Sequence, residues 1–314
     1  MSSLLDRAGA ALRYAGAAAQ AIPLLERAVS MSVDMFGSDH PEVLQYRHDL
    51  ATAYLSAGRT KEAVVLFEGT LGDRQRLLGC DHFDTLNTFN NLARAVRTEG
   101  RITEAIAMHE TILAIRERTL GPQDNSTLTS RNNLAFTYRA AGRLAEAITM
   151  YEATLVDRER ILGIDHPDTL TSRNNLAYTY RLAGRIAEAI TMFEATLADR
   201  ERILGLDHPT TLISRGNLAV AYRMVGRTVE AISMHEANLA DRQRILGAEH
   251  PTTLESYDHL AETYRMAGRT AEAITMHEIN LVARERILGP EHPDTIETRN
   301  ILMMIRQENK GQRL

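Results

Sequence analysis

Tryptophan is absent from this chain of 314 residues, and aromatic residues make up only 5% of it. A large core must therefore be mostly aliphatic, because bulky aromatic side chains are too few to fill it. Lysine is also scarce, since Lys61 and Lys310 are the only lysines among 36 basic residues. The arginine bias has two explanations: a coding sequence rich in G and C, or a need for planar, bidentate contacts with anions.

Cys80 is the single cysteine, so the chain cannot form an internal disulfide, which suits a reducing compartment. No apolar run reaches the roughly 18 residues of a membrane span, and the N-terminal segment lacks the pattern of a signal peptide. The net charge of −5 provides no overall basic field to attract nucleic acid. We therefore expect a cytoplasmic protein whose partner is neither a membrane nor a nucleic acid.

A repeat of 42 residues runs through the chain. His-Pro pairs, His82-Phe83 and Asp124-Asn125 share one slot of the repeat, at positions 40, 82, 124, 166, 208, 250 and 292. A Gly-Arg pair recurs at the same spacing, at glycines 58, 100, 142, 184, 226 and 268. No insertion or deletion interrupts either series. Such self-similarity is the sequence signature of stacked structural repeats.

Each unit is predicted to form two helices, as the fifth unit illustrates. Pro167 suits the first turn of a helix, where its missing N–H would lack a partner, and the residues just before it can cap that turn. Apolar residues recur three and four positions apart, which predicts helices over 168–183 and 186–204. Gly184 is predicted to end the first helix in the left-handed conformation. Neither helix can bury its apolar stripe alone, so the units must stack.

The repeat predicts a single domain over residues 1–314, made of seven helix pairs and one further helix. The predicted units are 1–37, 38–79, 80–121, 122–163, 164–205, 206–247 and 248–289. The final segment, 290–310, begins like a first helix and has no second. It is therefore interpreted as a capping helix that covers the last exposed stripe.

Three motifs resemble the tetratricopeptide repeat. They are N-L-A-x-x-Y-R-x-x-G-R from Asn175, E-A-I-x-M from Glu188, and R-E-R-x-L-G-x-D-H-P from Arg200. More closely, they resemble the 42-residue variety found in kinesin light chains and in many bacterial proteins, and the likeness covers about residues 14–305. It implies an all-α, right-handed superhelical solenoid of antiparallel helix pairs, with the first helices lining a concave groove. It also implies a protein or peptide partner.

The resemblance also implies which side chains face the groove. In the family, the slot before the Leu-Ala pair commonly holds an Asn that bonds the backbone of a bound peptide, and here it holds Asn91, Asn133, Asn175 and Asn217. The slot six residues on, nearly two helical turns later, holds Arg97, Arg139, Arg181 and Arg223. A varied column lies between them and includes Phe136 and Tyr178. We expect a groove centred on 84–225 that takes an extended peptide with acidic side chains or a free carboxylate.

Both columns also have a purely structural interpretation. The Asn amides can bond neighbouring helices, and the Arg side chains can be solvated or paired with acidic residues of the next helix. The recurring histidines of the His-Pro slot are interpreted as helix caps, since neighbours ~10 Å apart cannot share a metal ion. A second set occupies a packing slot that holds an aromatic residue elsewhere, namely His109, His235 and His277. One Glu per unit on the second helix forms a regular ladder with a structural role.

We expect no cofactor and no enzymatic activity, because neither a phosphate-binding loop nor a nucleophile motif occurs in the sequence. The main hypothesis is a protein- or peptide-binding scaffold. The alternative is the ligand- or peptide-sensing part of a bacterial regulatory switch, such as a STAND-type NTPase or a pheromone receptor. An enzyme with its site inside the superhelix is the third hypothesis, supported only by the expected polar groove.

Overall fold

The structure is a computed structural model that describes residues 18–311, with the side-chain surroundings of residues 20–309. Fourteen helices and no strand make up the regular structure of that part of the chain. The chain divides into two compact units, Met1–Gly163 and Ile164–Leu314. The first helix of the first predicted pair lies outside the described residues.

The first unit contains seven described helices, and consecutive helices within it pack against each other. They are α1 (Ala18–Phe36), α2 (Pro41–Ser56), α3 (Thr60–Leu78), α4 (Phe83–Thr98), α5 (Ile102–Leu120), α6 (Asn125–Ala140) and α7 (Leu144–Leu162). The even-numbered helices are first helices of the repeat, and the odd-numbered ones are second helices.

The second unit also contains seven described helices, packed in the same sequential order. They are α8 (Pro167–Leu182), α9 (Ile186–Leu204), α10 (Pro209–Met224), α11 (Thr228–Leu246), α12 (Pro251–Met266), α13 (Thr270–Ile287) and α14 (Pro293–Gly311). The all-α repeat solenoid predicted from the sequence is confirmed. The union of all units into a single domain stays a prediction.

Each first helix begins at a side-chain cap. In α8, His166 Nδ1 accepts the backbone N–H of Asp168 at 3.1 Å, and proline occupies the first turn. Asp124 caps α6 in the same way, because its Oδ1 accepts the N–H of Ser126 at 2.8 Å. These bonds satisfy one of the orphan N–H groups of a helix N-terminus. The predicted capping role of the His-Pro slot is confirmed.

The Gly-Arg pair ends each first helix. After α8, Gly184 has φ +78° and its N–H reaches the carbonyl of Arg181, while the N–H of Arg185 bonds the carbonyl of Tyr180 at 2.9 Å. This bond pattern is a Schellman motif, whose left-handed residue favours glycine. The Arg185 guanidinium then folds back over the Tyr180 ring, 3.9 Å from its centre. Stacking of a cation on an aromatic face explains why arginine follows the glycine.

Small and aliphatic residues form the core. Ala135 and Ala147 in the first unit and Ala177 and Ala189 in the second have no exposed surface, which lets paired helices cross closely. The larger core side chains are mostly leucine and isoleucine. One slot of the second helix holds an aromatic ring that is fully buried, in the residues Phe67, Tyr151 and Phe193.

Within each unit, buried arginines of second helices bond the first helix that follows. Arg74 of α3 is 2% exposed, and its Nη1 donates to the carbonyl of Asp84 at 3.0 Å and to Thr88 Oγ1 at 2.7 Å. Arg200 of α9 makes the same two bonds to α10, at 2.8 Å each. Burial lowers the pKa of Arg200 to about 10, so it stays charged at neutral pH. These bonds fix the packing of one repeat on the next.

Candidate functional site

The predicted asparagine column lies along the first helices and is half-buried in both units. In the first unit, Asn91 Nδ2 lies 3.0 Å from His48 Nε2 of α2, and Asn133 Nδ2 donates to Asn90 Oδ1 of α4 at 2.8 Å. Each amide therefore bonds the first helix one repeat earlier. An amide has two N–H groups and one oxygen. One donor of each amide thus holds neighbouring helices together.

The arginine column of the first unit is stacked on the aromatic residue of the varied column. The guanidinium carbon of Arg97 lies 4.4 Å from the centre of the Phe136 ring, and that of Arg139 lies 4.3 Å from the same centre. Both arginines are half-buried. Cation–π contacts of this kind hold each guanidinium against the face of the ring. The three predicted residues therefore form one group in the structure.

A cavity of about 230 Å³ opens beside this group. Asn90, Arg94 and Arg97 of α4 line it together with Asn133, Phe136 and Thr137 of α6 and His109 of α5. Arg94 is accessible to solvent, yet the protein atoms around it lower its pKa by desolvation, as expected for a side chain in a concavity. Desolvation also lowers the pKa of Arg97, and the positive charges of Arg94 and Arg139 add to that effect.

Within residues 20–309, no carboxylate pairs with Arg94 or Arg97. The ion pairs of that region involve other arginines, such as Arg101 with Glu99 at 3.0 Å and Arg118 with Asp81 at 3.2 Å. Neighbouring guanidinium groups whose positive charge is not compensated by an anion create a local positive potential. The cavity of the first unit is therefore a positive site inside a protein of net negative charge.

His109 forms part of the wall of this cavity. Its side chain is 3% exposed, and its Nδ1 has no hydrogen-bond partner among the described residues. Burial is the main reason why its pKa falls to about 4, and the nearby charge of Arg97 contributes. The ring is therefore neutral at physiological pH. The predicted packing role is correct, but the sequence did not reveal the unpaired nitrogen.

The asparagine and arginine columns continue in the second unit. Asn217 Nδ2 donates to Asn174 Oδ1 at 3.4 Å, and Asn175 is half-buried. Arg181 lies over Tyr178, with 4.5 Å between its guanidinium carbon and the ring centre. These contacts repeat the amide bond and the cation–π stack of the first unit. The aromatic members of the varied column, Phe136 and Tyr178, thus serve the same purpose.

The last arginine of the predicted set has an acidic partner. Arg223 Nη1 lies 3.3 Å from Glu262 Oε1 of α12, and Arg265 Nε donates to the other carboxylate oxygen at 2.8 Å. The hydrogen bond from Arg265 is the main reason why the pKa of Glu262 is lowered. The structural interpretation, in which arginine pairs with an acid of the next first helix, therefore holds at Arg223. Elsewhere in the predicted set the aromatic stack takes its place.

The repeated Glu residues of the second helices have structural partners. Tyr138 Oη donates to Glu110 Oε1 at 2.8 Å, and Tyr222 Oη donates to Glu194 Oε1 at 2.6 Å. Each bond joins a second helix to the first helix of the following repeat. At Glu110 and Glu194, these carboxylates therefore join consecutive helices.

The sequence did not identify four members of the cavity wall as site residues: Asn90, Arg94, His109 and Thr137. Asn90 directly precedes a predicted Asn, and Arg94 stands in the varied column, so the spacing contained a signal for both. Nothing in the sequence alone distinguishes His109 from the other histidines of its slot. Among the described residues, no group of three or more His, Cys, Asp or Glu side chains could hold a metal ion.

No helix among the described residues is long and apolar enough to cross a membrane. A search of curated proteins finds no match to the chain. Family comparison matches the tetratricopeptide repeat over residues 1–72, 84–155, 126–202, 174–237 and 215–279.

Several solved structures resemble the chain. A kinesin light chain-like protein of Podosopora anserina with nearly identical TPR-like repeats is 31% identical, with a TM-score of 0.55 over 64% of this chain and 95% of that chain. BtubC from P. vanneervenii is 21% identical, with a TM-score of 0.60 over 74% of this chain and 94% of that one. The apo form of RapI is 13% identical, with a TM-score of 0.65 over 91% and 98%, and shows a shared fold.

These matches agree with the helix pairs, the Schellman ends and the 42-residue spacing seen in the structure. The family match extends over well more than half of the residues. The chain belongs to the tetratricopeptide repeat family, and the structures that it resembles include kinesin-light-chain-like members.

Proposed function

We propose that the chain is a protein-binding scaffold that holds an extended peptide with acidic side chains along its first helices. The observation that carries this proposal is the cavity of the first unit, where Arg94 and Arg97 have no carboxylate partner and Asn133 presents its amide. A folded protein that leaves two guanidinium groups uncompensated at a cavity has a strong electrostatic preference for an anion.

The remaining contacts follow from the chemistry of a peptide. Every residue of an extended peptide has a backbone N–H and C=O that need partners, and an asparagine amide can serve either one. An arginine binds a carboxylate through two parallel hydrogen bonds, which are about twice as strong as neutral ones. A surface that alternates amides and guanidiniums therefore suits an acidic peptide of varied sequence. Arg181 above Tyr178 offers the same chemistry in the second unit.

We further propose a binding role without catalysis, in the cytoplasm. Support comes from the family, whose repeats form scaffolds, and from the Glu ladder, whose members at Glu110 and Glu194 are engaged by tyrosines. The thiol of Cys80 is free and exposed, as suits a reducing compartment.

An array of peptides with graded numbers of Asp and Glu tests the proposal. The purified chain is expected to bind acidic members and not their Asn and Gln counterparts. Asn133→Ala, Asn175→Ala and Arg181→Glu should each weaken the best peptide, by roughly ten- to a hundredfold for the arginine, because hydrogen bonds to charged groups contribute about 1.5–3 kcal/mol. Unchanged affinity in all three variants would contradict the proposal.

A substitution in the varied column tests the role of charge more directly. Phe136→Glu should place a carboxylate between Arg97 and Arg139, as Glu262 lies between Arg223 and Arg265 in the second unit. We expect this internal acid to compete with an acidic peptide and to abolish binding at the first unit. Phe136→Leu is the size-matched control, and it should lose much less.

Arg118→Glu is the second control. This arginine lies on the second helix α5 and is exposed, so the change of net charge is the same as in Arg181→Glu. Equal losses of affinity in Arg118→Glu and Arg181→Glu would indicate that the acidic peptide responds only to the net charge of the protein. That result would count against a specific groove.

A further inference from the structure

A second surface of the first unit lies at a loop between repeats, at the opposite end of α4 from Arg97. The helix α3 ends at Leu78, and α4 begins at Phe83. Leu77 and Leu78 are both exposed, and Phe83 is 64% exposed. Single exposed apolar residues are ordinary, but three large ones around one loop form an apolar patch. We refer to Leu77, Leu78 and Phe83 as the loop edge.

A cavity of about 230 Å³ opens at the loop edge. Its lining comes from α2 and the loop before it, from the end of α3 and from the start of α4, with the residues Asp39, Pro41, Leu44, Arg74, Leu77, Leu78 and Asp84. Pockets for drug-sized ligands hold about 300–1,000 Å³. This smaller cavity, with leucine side chains in its wall, therefore suits one aliphatic side chain of a partner.

The exposed ring of Phe83 is not required by the fold. In other repeats the same slot holds proline, as at Pro41 and Pro167, and the helix begins there in the same way. The cap of α4 comes from His82, whose Nδ1 accepts the N–H of Asp84 at 3.2 Å. A large apolar side chain that neither caps its helix nor is buried is available for contact with another molecule.

Asp84 adds a negative charge beside the cavity. His82 Nδ1 lies 3.7 Å from the Asp84 carboxylate but already accepts a backbone N–H, so this nitrogen carries no proton. Arg74 is buried and donates to the Asp84 carbonyl, to Thr88 and to Gln45 instead of to the carboxylate. Among the described residues, no Arg or Lys forms an ion pair with Asp84. A cation can therefore approach this carboxylate without displacing another one.

The charges around the cavity leave an excess of acid. Asp39 is neutralised by Arg76, whose Nη2 lies 2.9 Å from its Oδ1. Glu42 is exposed next to Pro41 and has no Arg or Lys partner within the described part of the chain. Glu42 and Asp84 together outweigh the one buried charge of Arg74. An acidic rim disfavours contact with a second copy of the same edge or with an anionic membrane, and it favours a basic partner.

We propose that the loop edge binds a protein segment in which an aliphatic side chain is flanked by Lys or Arg. The aliphatic side chain enters the cavity against Leu77 and Leu78, Phe83 extends the apolar contact, and the basic group pairs with Asp84. This surface goes beyond the proposed function and does not depend on it, because its charge is opposite to that of the site on the first helices. One chain can thereby hold an acidic and a basic segment at the same time.

A peptide array tests this proposal. Each peptide has Leu, Ile or Met at its centre, with flanking residues that are Lys and Arg, Glu and Asp, or Ser. A parallel set has Ser at the centre. The full chain should bind the basic peptides with an aliphatic centre more tightly than any of their counterparts. The proposal is wrong if these peptides bind no better than those with a Ser centre or with acidic flanks.

The repeat supplies variants that are compatible with the fold. Three substitutions each introduce the residue that another repeat has in the same slot, namely Phe83→Pro, Leu77→Thr and Asp84→Thr. In fluorescence anisotropy, Phe83→Pro and Leu77→Thr should each weaken the best basic peptide by roughly tenfold, because they remove apolar contact without changing the charge. Asp84→Thr should weaken it by roughly threefold and reduce the dependence of binding on salt. Thermal unfolding confirms that each variant is folded.

Two controls separate the surface from general effects of charge and shape. Asp168→Thr makes the same substitution in the same slot of the second unit and should leave the affinity unchanged. Phe83→Leu keeps an apolar side chain and should retain most of the affinity. Equal losses in Asp84→Thr and Asp168→Thr would show that the basic peptide responds only to net charge. That result, or equal binding by the wild type and Phe83→Pro, overturns the proposal.

Further measurements distinguish other occupants of the loop edge. Sedimentation velocity of the free chain tests for a second copy, and flotation with phosphatidylserine vesicles tests for a membrane. Self-association or vesicle binding that is lost in Phe83→Pro would contradict a basic protein segment as the occupant. The acidic peptides of the proposed function should bind the wild type and Phe83→Pro equally. Failure of either proposal therefore leaves the other standing.

Discussion

Acid should destabilise the second unit through His235. This histidine is 2% exposed on α11, and desolvation lowers its pKa from 6.5 to about 3, with smaller contributions from His259, Arg223 and Arg242. The folded protein therefore keeps the ring neutral under conditions in which the unfolded chain protonates it. Proton uptake on unfolding makes the native state lose stability as the pH falls.

The magnitude follows from the two pKa values. Above about pH 7 both states are neutral at this ring, and the histidine adds no pH dependence. Between about pH 6.5 and the folded pKa, each unit of pH removes about 1.4 kcal/mol, so the loss from about pH 7.5 to about pH 5 is about 2 kcal/mol. Below the folded pKa of about 3 the loss is complete.

His235→Phe isolates this contribution from that of the carboxylates. Urea unfolding followed by circular dichroism at both pH values should give the variant a pH dependence that is about 2 kcal/mol smaller than that of the wild type. The converse swap, Phe193→His in the same slot of the same unit, should make the dependence steeper. If His235→Phe leaves the slope unchanged, the ring is hydrated or paired in solution, and the argument from burial fails.

Other positions make further predictions for stability. Arg242→Met should cost about 2–4 kcal/mol in urea unfolding, because it removes the buried donor to the Thr252 carbonyl at 2.6 Å and to the Ser256 hydroxyl at 2.8 Å. A cost below about 0.5 kcal/mol would show that the buried bonds are not needed. Gly184→Ala should cost about 1–2 kcal/mol, since its φ of +78° is left-handed. Gly69→Ala, at an open position inside α3, should instead increase the free energy of unfolding by about 0.5–1 kcal/mol, which is measured as a higher melting temperature. Equal effects at both glycines would refute the conformational argument.

The helices could be predicted closely because the repeat supplies independent copies of the same local signals. The predicted range 168–183 compares with Pro167–Leu182 in the structure, and the predicted range 186–204 is that of the observed helix. A cap at His166 and a left-handed Gly184 set the start and the end of α8 through hydrogen bonds between residues close in sequence. Such bonds depend on short-range sequence, which is visible in a single chain.

The buried arginines were not predicted because their partners come from another helix. On the surface of α9, Arg202 pairs with Asp199, three residues earlier, at 3.1 Å. Arg200, two residues earlier, turns inward and bonds the carbonyl of Thr210 and the hydroxyl of Ser214. A charged residue in a helix is normally solvated, and only the approach of the next helix supplies those acceptors.

The candidate site was predictable as columns of residue types but not as an electrostatic site. In the sequence, Arg97 and Arg223 occupy the same slot of the repeat, six residues after the Asn of an Asn-Leu-Ala motif. In the structure, Arg97 stacks on Phe136 without a carboxylate, whereas Arg223 contacts Glu262. Whether these columns form a groove that binds a peptide stays a prediction.

The varied middle column explains this difference between arginines of one slot. Its side chain lies three residues before the arginine of its own helix and also reaches the arginine one repeat earlier, as Glu262 does with Arg265 and Arg223. An aromatic residue there packs against the guanidiniums, as Phe136 does with Arg97 and Arg139, whereas an acid pairs with them, as Glu262 does. Variation between Phe136, Tyr178 and Glu262 therefore changes the charge of the surface even though the arginines stay fixed. We therefore expect specificity in such a repeat to depend on which arginines the varied column neutralises as well as on which groups face a partner.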